Sequence, residues 1–430
     1  MTTVEVQQSR AKMPGARSLS LGEHIRDYFR RVWGGEMGAL PAIVGLLVLC
    51  IAFSLARPKF FTAGNFANLF TQGAAVTVIA MGLVFVLLLG EIDLSAGFAS
   101  GVAACVMSVL LVRHHVNLYL SLGSAIVTGL VIGLVLGTLV AKVGIPSFVV
   151  TLAAFLAFQG LALRLLGDGQ VISVADNYPV IYALENKNMP LWLGWLMLAV
   201  GVVGFAAVQL VRVRNRVKRG LPRGPLSLVV LRVGALTVLG AIAVYFLNVE
   251  RSPNPPYHVG DRVLGVSLRG IPVVVPVIVV LLVVWTFVLA RTSYGRHLYA
   301  VGGSKEAARR AGINVDRIRV SAFVICSSMA AIGGIIAVSR ANSVDSNTGG
   351  SNVLLYAVGA AVIGGTSLFG GKGRVLDAIL GGAVIAVIDN GMGLMGYKAG
   401  TKFIVTGVFL LAAAGLDALM RKRAAATGLR

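Results

Sequence analysis

Apolar residues recur in runs about 20 long, and that spacing limits what this chain can fold into more than any other feature does. A run of that length crosses the hydrocarbon core of a bilayer as a helix. Lipid offers the backbone no hydrogen-bond partner, so each crossing segment must satisfy itself. The runs are far too apolar for the weak alternating pattern of an outer-membrane barrel. They fall at residues 40–56, 74–90, 94–112, 119–141, 146–165, 191–211, 227–247, 271–290, 319–338, 353–369, 375–394 and 402–420. The expectation is an all-α, polytopic integral membrane protein with about twelve (10–12) transmembrane helices. The second and third runs nearly touch, so one element is expected to be broken or re-entrant near 88–97. Only 13% of the residues are charged, against about a quarter in soluble domains.

The net charge of +21 is concentrated in a few inter-run loops and at the two ends. That is the positive-inside pattern. It places in the cytoplasm the tail 1–39 (Arg10, Lys12, Arg17, Arg26, Arg30, Arg31), the loop RVRNRVKRGLPR at 212–223, the loop 291–319 and the C-terminal tail 421–430. Both termini are then cytoplasmic, with a transmembrane domain at 40–420 between them. The loops at 57–73, 166–190, 248–270 and 339–352 fall outside. The first 39 residues read as a tail with one amphipathic turn at 25–32, not as a cleavable signal. No stripe of basic and aromatic residues fits nucleic acid. Cys50, Cys105 and Cys326 each lie in an apolar run, with no spacing for a metal or a disulfide framework. The pair of runs at 191–247 reads as an inserted helix pair, because removing it leaves the in–out alternation unchanged.

Four stretches stand out as candidates for function. The first is the loop 291–319, where Ser304 can cap a short helix, Glu306-Ala307-Ala308 opens it and Gly312 can stop it. A stiff basic helix held outside the membrane is suited to presentation to a soluble partner. The second is Gly90-Glu91-Ile92-Asp93-Leu94-Ser95, which puts two carboxylates into apolar sequence, where ionisable groups are costly and functional. Ser95 or Asp93 can cap the helix that follows; contact with substrate or a gate is the other reading. The third is Asp389-Asn390 near the end of the eleventh run, suited to a hydroxylated solute or to an interhelical hydrogen bond. The fourth is AVIGGTSLFGGKGRV at 361–375, with Gly364, Gly365, Gly370, Gly371, Lys372 and Gly373. It lacks the Lys-Ser/Thr pair and the preceding strand of a phosphate-binding loop, so it reads as a tight turn between packed helices. No nucleotide, metal or Ser-His-Asp constellation is visible. Gly129, Gly133 and Gly137 share one helix face and are expected to admit a neighbouring helix closely.

The stretches GEIDLSAG (90–97), IPSFVVTLAAFLAFQG (145–160), GRHLYAVGGSKEAARRAGINV (295–315), VIGGTSLFGGKGRV (362–375) and IDNGMGLMG (388–396) occur in this order. In them the chain resembles the permease subunits of bacterial ATP-binding-cassette importers for ribose, xylose and related sugars, a group that includes branched-chain amino-acid permeases. The xylose type is the nearest in wording. The resemblance implies a homodimer in the bacterial cytoplasmic (inner) membrane, a cytoplasmic ATPase that binds ATP and Mg, and an extracytoplasmic sugar-binding protein. It implies that a monosaccharide is the cargo and that the chain itself is not an enzyme and holds no cofactor. It also makes Gly303, Ser304, Glu306, Ala307, Ala308, Arg309, Arg310 and Gly312 the ATPase-coupling element. Glu91, Asp93, Ser95, Asp389 and Asn390 are the candidates for the substrate path or gate. Two positions depart from many relatives: Tyr356 where an acidic residue is common, and Leu136-Gly137 where Asn-Gly is common. A proton-coupled carrier using Glu91, Asp93 or Asp389, and a same-family permease for amino acids or nucleosides, are the alternatives.

Overall fold

The structure, a computed structural model, describes residues 38–174, 178–220, 226–252, 256–259, 262–264 and 267–426. Nearly all of the N-terminal tail, including the turn expected at 25–32, lies outside the described residues. In chain order the helices are α1 (Leu40–Ala56), α2 (Ala63–Leu88), α3 (Ala96–Ser108), α4 (Leu118–Thr138), α5 (Ser147–Leu166), α6 (Pro179–Asn186), α7 (Leu191–Lys218) and α8 (Leu226–Asn248). They continue with α9 (Val274–Arg291), α10 (Ser293–Gly303), α11 (Lys305–Arg310), α12 (Val315–Ala341), α13 (Ser351–Ile363), α14 (Val375–Leu394) and α15 (Ala399–Ala426). Every apolar run of the sequence contains a helix. Among the described residues nine helices are long and apolar enough to cross a membrane, and α1, α13 and α15 contribute shorter apolar stretches. The chain is a polytopic, mainly helical membrane protein.

The core is α2 clasped by α12, α14 and α13. From Val78 to Leu88 almost every α2 side chain is fully buried, so this helix meets protein on all sides rather than lipid. Helix α4 packs on α12 through its glycine face. A Cβ on Gly133 would lie 2.5 Å from the Phe323 carbonyl oxygen and from Val324 Cα, and one on Gly137 would lie 2.8 Å from Val320 Cα. The expected close packing is therefore present. Between helices already in lipid, such contact supplies van der Waals attraction where the hydrophobic effect gives little. By contrast, α7 and α8 are mostly exposed and lie at the periphery, while α9 packs on the core through Ile278, Leu282 and Trp285.

Three expectations need correction. The loop expected at 57–73 shrinks to residues 57–62: Thr62 Oγ1 accepts from Asn65 N (3.3 Å) and starts α2 eleven residues before the run becomes apolar. Asn65, Asn68 and Gln72 had hidden this beginning by lowering the local hydropathy. The run at 353–369 is helical only to Ile363, where Gly364 and Gly365 turn the chain away. The fold is also not purely α. Ile172–Ser173 (β1) pairs antiparallel with Ser343–Val344 (β4), and Tyr257–Val259 (β2) pairs with Arg262–Leu264 (β3).

Candidate functional site

The segment after α9 is a stack of capped helices. Thr292 Oγ1 accepts from Gly295 N (3.3 Å) and opens α10. Ser304 is extended, and its Oγ accepts from Ala307 N (3.2 Å), opening α11. Gly312 takes φ +80°, a left-handed conformation that glycine adopts without strain, and ends it. Asn314 Oδ1 then accepts from Arg317 N (3.0 Å) and opens α12. Three side-chain caps in so short a stretch leave little freedom to fray. Helix α11 presents Glu306, Ala307, Arg309 and Arg310 outward and is pinned beneath by buried Ala308. Arg310 and Glu306 pair at 3.3 Å but are both exposed, so that bridge contributes under about 1 kcal/mol.

This stack sits directly on the end of α2. Any side chain at Gly302 would collide with the Leu88 carbonyl oxygen. The same oxygen accepts from Gly371 N (2.8 Å), and Tyr299 OH donates to the Gly373 carbonyl (2.7 Å). Ser367 N donates to the Lys372 carbonyl (2.9 Å) and closes the glycine loop on itself. The tight turn Gly364–Gly373 is thus a wedge between α10 and the end of α2.

Immediately beyond α2 the chain leaves helical geometry, as expected near 88–97. Glu91 is 5% exposed. Its Oε1 receives Lys305 Nζ (2.7 Å) from α11 and Arg319 Nη2 (2.8 Å) and Nε (3.1 Å) from α12. Burial would push this carboxyl up, but bonds from Lys305 and Ser147 and the charges of Arg319 and Lys305 outweigh it. They hold Glu91 below the usual carboxylate range. The backbone of Ile92 is satisfied from α5: its N–H donates to Ser147 Oγ (3.3 Å) and its carbonyl accepts from Thr151 Oγ1 (3.2 Å). Non-helical backbone buried within the protein requires partners of this kind. Asp93 is fully buried, and its Oδ1 accepts from Ser95 N (2.9 Å) and Ser95 Oγ (2.6 Å). Of the two capping candidates, Ser95 makes no side-chain cap, its hydroxyl turning back to Asp93, while Asp93 accepts from the Ser95 backbone N–H at the start of α3.

Asp389 and Asn390 lie elsewhere, toward the other end of α2. Asn390 exchanges two side-chain hydrogen bonds with Asn65 (2.9 and 2.8 Å), and Asp389 pairs with Lys402 of α15 (3.0 Å). The structure therefore joins Glu91, Asp93 and Ser95 to the α10–α11 stack and to the glycine turn, but not to Asp389 and Asn390. Lys305, Arg319, Ser147, Thr151, Tyr299 and Gly302 were missed in the sequence. The one available signal was charge: Arg319 opens an apolar run just as Glu91 closes one.

The stretches that meet here fall within residues 65–414, which match the permease component family of the branched-chain amino acid transport system. The chain belongs to this family. Among its relatives, this permease is 35% identical over 370 residues to the xylose transport system permease protein XylH of Escherichia coli K12, covering 85% of this chain and 87% of the relative. It is 31% identical to XylH of Haemophilus influenzae, over 89% and 96% of the two chains. The ribose import permease protein RbsC of Escherichia coli K12 is 28% identical, over 91% and 96%. The resemblance to sugar permeases, nearest in wording to the xylose type, is thus borne out. No solved structure matches the chain significantly.

Proposed function

We propose that this permease is the membrane subunit of an ATP-driven importer that carries a monosaccharide, xylose or a similar sugar, across the bacterial inner membrane by alternating access. Two copies form the path. A separate ATPase binds ATP and Mg and docks on α11, and an extracytoplasmic binding protein delivers the sugar. The basic loops orient all twelve apolar helices with both termini in the cytoplasm. The observation that carries the reading is the exposed, capped helix α11, rooted through Lys305 and Glu91 in the broken segment after α2. A force on α11 has a short, stiff route to that segment. Similarity to the xylose and ribose permeases supplies the cargo class. A proton-coupled carrier is less favoured at Glu91 and Asp389, since each is paired with a cation.

The test is reconstitution in proteoliposomes with the ATPase and the binding protein. Xylose uptake is expected only when all three and ATP are present. Uptake by the permease alone, driven by a pH gradient, overturns the proposal in favour of the carrier.

A further inference from the structure

Helix α2 has a second polar end. Gly64, Ala67, Asn68 and Thr71 follow one another at helical spacing and form one wall of an open cleft of about 330 Å³. Glu185 and Asn186 at the end of α6, with Asn188, Arg251, Leu268 and Pro272, form the other. Helix α2 is 26 residues long, about 39 Å at 1.5 Å per residue, so the cleft lies at the end of the molecule remote from the α10–α11 stack. Arg340, at the far end of α12, lies beside it and donates to Thr71 Oγ1 (2.9 Å).

Several wall residues are tied down by hydrogen bonds. The Asn186 amide donates to the Ser339 carbonyl (2.7 Å) and to Asn342 Oδ1 (3.2 Å). Arg251 is held by the carbonyl oxygens of Leu247 and Gly270. An antiparallel bridge ties Asn188 to Pro272. Glu185 is different. It is 7% exposed, yet neither carboxyl oxygen has a hydrogen-bond partner among the described residues. The side chains of Asn68 and Asn188 likewise make no hydrogen bond among those residues. A buried carboxyl with neither oxygen partnered is costly. The cost is relieved when a ligand supplies the missing partner.

The surroundings select the ligand. A metal cation is opposed by Arg251 and Arg340, and an anion by Glu185. A neutral solute with several hydroxyls fits amides and a carboxyl, which can accept from a hydroxyl when ionised and donate to one when protonated. Small-ligand pockets begin at roughly this volume.

We propose that this cleft is a receiving site for a polyhydroxylated solute of monosaccharide size, with Asn68 and Asn188 contacting its hydroxyls and Glu185, whose carboxyl oxygens are sealed in the empty cleft, engaged as its walls part. The choice of ligand rests on the sugar-import reading above. The path would then begin at the first turns of α2 and end at the segment that α2 hands on to Glu91.

The experiment uses the permease alone in lipid nanodiscs, with D-xylose as probe and L-leucine as control, read by saturation-transfer NMR. Wild type is expected to bind D-xylose weakly and not leucine. Glu185→Leu and Asn68→Leu are each expected to weaken binding at least tenfold while keeping the wild-type elution profile. Asn68 is only half-buried on a helix face, so its variant keeps the test open where Glu185→Leu fails to fold. Undiminished xylose binding in Asn68→Leu, or none in wild type, overturns the site. Variants that keep xylose binding but no longer capture the binding protein would make the cleft a docking surface, and that also overturns it. The importer reading is judged separately: ATP-driven xylose uptake that persists in both variants sinks the cleft and leaves the importer standing.

Discussion

Glu91 and Glu185 are both buried, sit at opposite ends of α2, and respond to pH in opposite senses. Glu91 has two cationic partners and a depressed pKa. Its contribution is present above the ordinary carboxylate value and is lost as pH falls through the folded one. Glu185 has no hydrogen-bond partner, and burial pushes its carboxyl up to about 8 although Arg340 pulls it back. In that case the folded chain holds a proton that the unfolded chain has released. Stability therefore falls as pH rises from the ordinary carboxylate value toward 8. Thermal melts in detergent from pH 4 to 8 check both. Glu91→Gln is expected to lose about 1–3 kcal/mol at pH 7, less than a fully buried pair would cost because Lys305 is half exposed. The deficit should shrink toward pH 4. Glu185→Gln should match wild type near pH 4 and surpass it near pH 8. Parallel pH curves for the two variants would contradict both assignments.

At the scale of elements, the pair α7–α8 is the most separable part of the chain. Its helices pack on each other where Leu198 meets Gly240 and Val244 lies near Gly194, and they meet the body chiefly at that end, where Val244 and Leu247 pack with Ala67 and Ile271. Phe246 lies 6.1 and 6.2 Å from the rings of Phe61 and Phe66. The flanking chain is already closed by the Asn188–Pro272 bridge and by Met189 N donating to the Ile271 carbonyl (2.8 Å). Replacing residues 191–248 by a short Gly-Ser linker should leave the remaining helices inserted and lower the melting temperature by only a few degrees. Loss of membrane insertion would show that the pair is needed to build the body. The sequence suggests an inserted pair because alternation survives its removal, and the linker replacement is the test of that reading. The apolar runs, the Ser304 cap and the Gly129–Gly137 face were legible in the sequence, since all of them depend on local spacing. The first turns of α2 were not legible, because a capped polar start is invisible to hydropathy. The Glu91 cluster was not legible either: its partners lie more than 200 positions away, and only packing brings them together. Asn390 was open to two readings, and Asn65 takes up its side-chain amide in an interhelical pair.

Across the whole molecule, α2 is the shared part. One end lines the Glu185 cleft; the other supplies the Leu88 carbonyl on which Gly302 and Gly371 converge. Helix α12 runs beside it, from Arg319 on Glu91 to Arg340 on Thr71, so both helices connect the same two ends. Their buried length makes independent bending costly, and a displacement of α11 should reach the far end as a joint tilt of the two. Coupling then depends on the outward face of α11 and not on its internal bonds. Glu306→Ala removes only a weak exposed pair. Gly312→Ala forces a side chain into a left-handed residue at a cost of about 1–2 kcal/mol. Neither change touches the Glu91 cluster. Both variants are expected to insert and melt within a few degrees of wild type, yet to lose at least tenfold in ATP-driven uptake when reconstituted with the ATPase. Glu91→Gln should instead lower uptake and stability together. Normal uptake in Glu306→Ala and Gly312→Ala would remove α11 from the route and shift it to the glycine turn and α10, which also meet the end of α2.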